Sequence, residues 1–418
     1  MSASESHAGL SVFQHTNFTL YQIERFCVIA GLEMQSVAVG WQVYEITRRP
    51  LDLGLVGLAQ FLPNVLLFLL AGHAADRFSR KNLLLICNLG FAVCSAALIE
   101  ISQRGPRNVR AIFAVLVLQG IVRSFNAPAG RSLIPALVPA EAFPTAVAWN
   151  ATTYQAATIL GPAIGGLLYA LFRGPVGVYA TSIAACAVAT VHVQASIRPQ
   201  EEVSLRTVLA GLHYIWTHRA ILGSISLDLF AVLLGGSVAL LPVYAREILH
   251  TGPWGLGLLR AAPGAGATIM AILLAYRPLR RRVGAIMLWC VAGFGVFTIV
   301  FGISRSLTLS LVALVLVGAT DMVSIVVRGT LVQIATPDEV RGRVNAVDMI
   351  FIGASNEFGE FESGLTASWF GTVPAVILGG AGTLVVVGLW AWMFPELRKV
   401  DRLTSGTTPD PIADTERG

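Results

Sequence analysis

Apolar positions fall in long runs near 17–46, 53–74, 82–102, 109–130, 143–171 and 175–196. After a polar segment, six more follow near 220–248, 254–276, 283–303, 307–330, 344–368 and 372–395. A helix needs about 20 apolar residues to cross a bilayer. The pattern therefore predicts six spans, a linker and six spans. The expected organisation is a tail over 1–16, a six-helix bundle over 17–195, a linker over 196–219, a second six-helix bundle over 220–395 and a tail over 396–418.

The two halves also share residues at a near-constant offset. Gly57, Leu58, Pro63, Arg77, Arg80 and Lys81 match Gly257, Leu258, Pro263, Arg277, Arg280 and Arg281 at an offset of 200. Pro139 and Glu141 match Pro337 and Glu339 at 198. A duplicated six-helix unit explains this, and transporters are commonly built from such repeats around a midplane site. The predicted fold is an all-α membrane protein of twelve transmembrane helices arranged as two pseudo-symmetric bundles.

Composition agrees. Of 418 residues, 55% are hydrophobic and 13% charged, against about 25% charged in soluble domains. Mean hydropathy is +0.70. These values exclude a water-soluble enzyme, a disordered chain and a nucleic-acid binder. The net charge of +5 instead reflects basic loops. With both termini cytoplasmic, 17 Lys and Arg fall inside and 8 outside, the bias expected of a cytoplasmic N- and C-terminus. Cys27, Cys87, Cys94, Cys186 and Cys290 all lie in apolar runs and read as small hydrophobes. No metal spacing and no cofactor motif is present, so neither is expected. In the linker, Val208, Leu209, Leu212 and Ile215 share one helical face, predicting an amphipathic helix on the cytoplasmic surface. His213 and His218 read as interfacial residues.

Residues Gly72-His-Ala-Ala-Asp76-Arg77-Phe-Ser79-Arg80-Lys81 follow the second span. They resemble the signature between helices 2 and 3 of the major facilitator superfamily, with Ser79 replacing the usual second Gly. The resemblance implies a conformational latch of Gly72, Asp76, Arg77, Arg80 and Lys81. A carboxylate at a helix end can engage a neighbouring helix N-terminus, and arginines can pair with carboxylates. The second half keeps Arg277, Arg280 and Arg281 but has Tyr276 where Asp76 stands. In the fifth span, Gly161-Pro162-Ala-Ile-Gly165-Gly166 resembles the helix-5 signature of the superfamily's exporters. Glycines four apart let helices approach closely and proline bends a helix, so Gly161, Pro162, Gly165 and Gly166 form a candidate pivot.

Across almost the whole chain the sequence resembles the branch of the superfamily that includes enterobactin exporters and several drug-efflux proteins. Ala38–Tyr44, Gly54–Gln60, Thr336–Val344 and Phe394–Leu397 carry the likeness. One departure is Leu116, at the position where the superfamily's helix 4 often has an arginine before Gln-Gly. Gln119-Gly120 is present and Arg123 lies one turn later.

Ionisable residues inside spans cost several kcal/mol unless paired or facing water, which marks them as functional candidates. Glu33, Arg123, Asp228, Asp321, Glu357 and Glu360 are the candidate coupling and cavity charges. Arg123 and Asp321 occupy repeat-equivalent positions with opposite charges and are expected to pair across the cavity as a gate. On the acidic eleventh span, Gly353, Glu357, Glu360 and Gly364 share one face, and Asp348, Ser355 and Glu362 another. A carboxyl in a low-dielectric cleft can exchange a proton near neutral pH. Trp41, Trp149 and Tyr154 are aromatics near expected cavity positions. The function expected is export of a small amphiphilic molecule by alternating access, as a proton antiporter, by a monomer in the bacterial inner membrane. The partners are substrate, proton and lipid, with no nucleic acid. Import, or a receptor or scaffold role, are the alternatives. The chain carries no HExxH, phosphate-loop or nucleophile-elbow pattern, which argues against an enzyme.

Overall fold

The computed structural model describes residues 11–105, 109–188, 205–279 and 281–399. Fifteen helices organise them. The first half contains α1 (Thr16–Thr47), α2 (Pro50–Leu66), α3 (Phe68–Arg77), α4 (Arg80–Gln103), α5 (Val109–Leu137), α6 (Phe143–Leu171) and α7 (Pro175–Val188). Helix α8 (Leu205–Thr217) leads into the second half. There follow α9 (Arg219–Gly235), α10 (Gly252–Tyr276), α11 (Val283–Ile303), α12 (Leu307–Ala335), α13 (Asp338–Phe370), α14 (Thr372–Met393) and α15 (Pro395–Lys399).

Among the described residues, nine helices are long and apolar enough to cross a membrane. The other three positions of the six-plus-six order are held by α2, α7 and α13. The first two are shorter apolar helices, and α13 has 33 residues with the acidic sequence noted above.

Two predicted spans are broken. The second divides at Leu67 (φ −96°, ψ 0°), although its N–H still bonds the Pro63 carbonyl at 2.9 Å; Pro63 itself lies inside α2 and removes the bond one turn earlier. The seventh leaves α-helical geometry at Gly236 (φ −67°, ψ 95°) and reaches Ile248 through short helical turns around Pro242. The Ser363 hydroxyl donates to the freed Gly236 carbonyl, satisfying a backbone acceptor that lipid could not.

Packing repeats in the two halves. Helix α1 packs on α6 and α7 as α9 packs on α13 and α14. Helix α4 packs on α5 and α7 as α11 packs on α12 and α14, and α2 packs on α5 as α10 packs on α12. The halves meet through the reciprocal contacts α2–α13 and α6–α10. Repeat-equivalent glycines make equivalent approaches: Gly120 of α5 lies against the Gln60 carbonyl of α2, and Gly318 of α12 against the Pro263 carbonyl of α10. One buried cluster, including Val39, Val43, Leu240 and Leu256, runs through both halves at the end holding the α1–α2 turn.

The amphipathic helix α8 does more than lie on a surface. It packs on α13, and Gly211 sits so close that a Cβ would lie 2.5 Å from the Arg343 carbonyl oxygen. Ile215 is buried with Ile221, Val344 and Val347. Val208 and Leu209 have side chains outside the described residues. His218 stacks on Tyr214 at 3.9 Å. Among the described residues no group of His, Cys, Asp or Glu could hold a metal, and the five cysteines are free.

Candidate functional site

The face of α13 carrying Glu357, Glu360 and Gly364 turns toward α2 of the other half. A Cβ at Gly57 would lie 2.8 Å from the Glu357 carboxylate and 2.9 Å from that of Glu360; Gly364 abuts Pro50 and Gly54. The glycines of α2 thus clear space for two carboxylates at the seam. Both also lie within electrostatic reach of Arg123 on α5, Arg260 on α10 and Glu33 on α1. Five ionisable side chains from four helices other than α2 therefore converge between the halves. Arg260 Nη1 further reaches the Ser36 carbonyl of α1 at 3.5 Å.

Arg260 was not among the sequence candidates. Its signal was available: a lone arginine inside an apolar span, at the repeat equivalent of Gln60. Arg328 of α12 was missed in the same way.

The expected pairing of Arg123 with Asp321 is not what the structure contains. Arg123 faces Glu357 and Glu360. Asp321 instead lies in a second group, within the second half, near Asp228 and Arg328. In that group Arg328 Nη1 contacts Asp228 Oδ2 at 2.5 Å and Asp348 Oδ1 at 3.6 Å. The physical reason is rotation about the helix axis. The offset of 198 gives equivalent depth in the two halves but does not aim both side chains at one point.

The helix-5 glycines divide by partner. A Cβ at Gly161 would meet Ala30 and Glu33, and one at Gly165 would meet Met34, all on α1 of the same half. Gly166 faces the other half, where a Cβ would lie 2.8 Å from Gly257 Cα and 2.5 Å from the Pro253 carbonyl oxygen. The Pro162 carbonyl in turn approaches Gly257. At the candidate latch, Gly72 lies within α3, Arg77 ends it and Lys81 lies in the first turn of α4; α3 packs on α5 of its own half. The side chains of Asp76 and Arg80 lie outside the described residues.

At the end holding the α1–α2 turn, two ion pairs join the halves. Glu45 Oε1 lies 3.1 Å from Arg246 Nη1, and Arg48 Nη1 lies 3.4 Å from Glu247 Oε1. The Tyr169 hydroxyl donates to Glu45 at 3.3 Å, and the Arg246 guanidinium lies 5.3 Å from the Trp41 ring centre. Of the other aromatics considered, Tyr154 lies under Arg25 at 6.0 Å and Trp149 packs edge-on to Phe13.

This arrangement of two six-helix units with a charged seam can be set beside known proteins. The family described as Transmembrane secretion effector matches residues 7–416. The chain belongs to the transmembrane secretion effector family. That family is a branch of the major facilitator superfamily, so this is a multi-pass membrane transporter of small molecules. The enterobactin exporter EntS of Citrobacter koseri is 26% identical over 415 residues, spanning 96% of this chain and 95% of that protein. Two solved structures share the fold. A D-xylose–proton symporter superposes with TM-score 0.68 at 15% identity, over 94% of this chain and 99% of the other. A bacterial homologue of the iron transporter ferroportin, in an inward-facing state, superposes with TM-score 0.66 at 16% identity, over 92% and 99%.

Proposed function

We propose that this transmembrane secretion effector exports a small amphiphilic molecule across the bacterial cytoplasmic membrane by alternating access, driven by proton entry, and works as a monomer. One observation carries the reading: Glu33, Arg123, Arg260, Glu357 and Glu360 converge from both halves onto one seam. Charges so placed are costly in a membrane interior unless they meet water, substrate or each other. Relative motion of the halves changes which of these they meet.

Both termini are cytoplasmic in this reading, from the arginine and lysine bias. The end closed by Glu45–Arg246 and Arg48–Glu247 is then the external one, and the conformation is open inward. Gly166 and Gly257 form the bearing on which the halves turn. Gly161, Pro162 and Gly165 hold α6 to α1 as one body. Gly72, Asp76, Arg77, Arg80 and Lys81 latch the cytoplasmic end in the opposite state. The moving bodies are 17–195 and 220–395, joined by 196–219. The likeness to enterobactin exporters directs the substrate search toward aromatic, siderophore-like amphiphiles.

The test is uptake into inverted vesicles with a substrate panel that includes a catecholate siderophore, with and without a proton gradient. Gradient-dependent accumulation supports the proposal. Accumulation only in right-side-out vesicles would assign import, and binding without flux a receptor.

A further inference from the structure

The second charged group, inside the second half, belongs neither to the seam nor to the closed end. Arg328 is 3% exposed and touches two carboxylates, Asp228 at 2.5 Å and Asp348 at 3.6 Å. Asp321 stands on the same helix seven residues away, on the same face, and acts electrostatically on both Asp228 and Arg328. Three carboxylates thus surround one guanidinium.

The groups on neighbouring helices do not correct this imbalance. Helix α12 packs against α9, α10, α11 and α13. From α9 comes Asp228, and from α13 comes Asp348. Helix α11 carries no charged residue, and Cys290 is its one ionisable side chain. The one charged residue of α10 is Arg260, which is directed at Ser36 and the seam carboxylates. At the start of α13, Arg341 donates to the Thr336 carbonyl at 3.1 Å.

The network is also incompletely bonded. Arg328 Nε, on an almost fully buried side chain, has no hydrogen-bond partner, and neither has Asp348 Oδ1. A fully ionised cluster would carry an excess of two negative charges inside the membrane-spanning region. Such a state is costly, and removing or adding one charge in a buried network is worth several kcal/mol.

We propose that Asp228, Asp321, Asp348 and Arg328 form a second proton-carrying site, separate from the seam. Arg328 keeps Asp228 ionised. Asp321 and Asp348 each take a proton from water to become neutral carboxylic acids and return it as a carboxylate re-forms. Arg328 moves toward Asp348 when that group ionises. Asp348 lies near the start of α13, and Asp321 near the middle of α12. The site therefore links one membrane face to the interior of the second half, along the helix that also carries Glu357 and Glu360. Its part in transport rests on the function proposed above, but its protonation does not.

The test uses full-length protein without substrate, in sodium-free buffer, with Glu33→Gln, Glu357→Gln and Glu360→Gln removing the seam carboxyls. Infrared difference spectra between acidic and alkaline pH should retain protonated-carboxyl bands. Asp321→Asn and Asp348→Asn should each remove one such band, and so should Asp228→Asn, which frees Arg328 to hold Asp348 as the carboxylate. Where an Asn variant does not fold, Asp321→Glu or Asp348→Glu keeps the carboxyl and should shift the band instead. Bands that are absent, or unchanged by all of these variants, overturn the proposal. So does loss of the bands on adding sodium at constant pH, which would assign the compensating charge to a metal cation. Failure of export with the bands intact would count against the transport reading alone.

Discussion

Glu45, near the end of α1, and Arg246, in the last turns of the seventh span, lie 3.1 Å apart and tie the two halves together. Arg48 and Glu247 repeat the tie in crossed order at 3.4 Å. Their side chains are 23–53% exposed, so each pair contributes only about 0.2–1 kcal/mol. Arg246 over Trp41 adds about 0.5–1 kcal/mol. A tie of this size can be released in every cycle. Glu45→Gln with Arg48→Gln should raise the population open at this end by up to about tenfold. Spin-label distances between the α1–α2 turn and the Ile248–Gly252 turn provide the measurement. An unchanged distance distribution would rule out a holding role.

The glycines of α6 should separate motion from stability. Gly166→Leu drives a side chain into Gly257 of the other half. It should abolish transport while leaving thermal stability near that of the parent. Gly161→Leu collides with Ala30 and Glu33 of the same half, and should lower stability by about 1–3 kcal/mol through overpacking. Thermal unfolding and vesicle transport, measured on both variants, distinguish the two.

Arg260 balances the seam carboxylates. Arg260→Ala should lower transport at least tenfold, and Glu360→Gln in the same chain should recover part of it, because an unpaired buried charge costs more than a neutral pair. A double variant no better than the single would show that Arg260 acts elsewhere.

Arg123 and Asp321 belong to different groups. The charge swap Arg123→Asp with Asp321→Arg is therefore expected to restore nothing lost in either single variant. Recovery of transport in the double variant would contradict the separation of the two groups.

Arg328→Ala leaves Asp228 buried without its cation. It should cost about 3–5 kcal/mol of stability, and adding Asp228→Asn should return a substantial part. Denaturation of the purified protein in detergent gives both values.

The run pattern was enough to determine an all-helical, multi-pass membrane chain, because lipid permits few other ways to satisfy a backbone. The near-constant offset of 200 announced the duplication, and the structure repeats it helix by helix in the packing of α1 to α7 and α9 to α14. The wheel of α13 also placed Glu357, Glu360 and Gly364 on a common face, since a helix fixes the angular relation of its own residues. What one helix cannot fix is its rotation relative to another. Arg123 and Asp321 sit at matching depths, yet their side chains serve different groups, and nothing in the spacing paired Asp228 with Arg328 one hundred residues away. Likewise, the glycine pattern of α6 could be read, but not that Gly161 and Gly165 face their own half and Gly166 the other. Hydropathy and periodicity act along the chain and are written in it. Which charges meet depends on helix rotation and close packing, and these were decided only by the tertiary structure, within each half and across the seam.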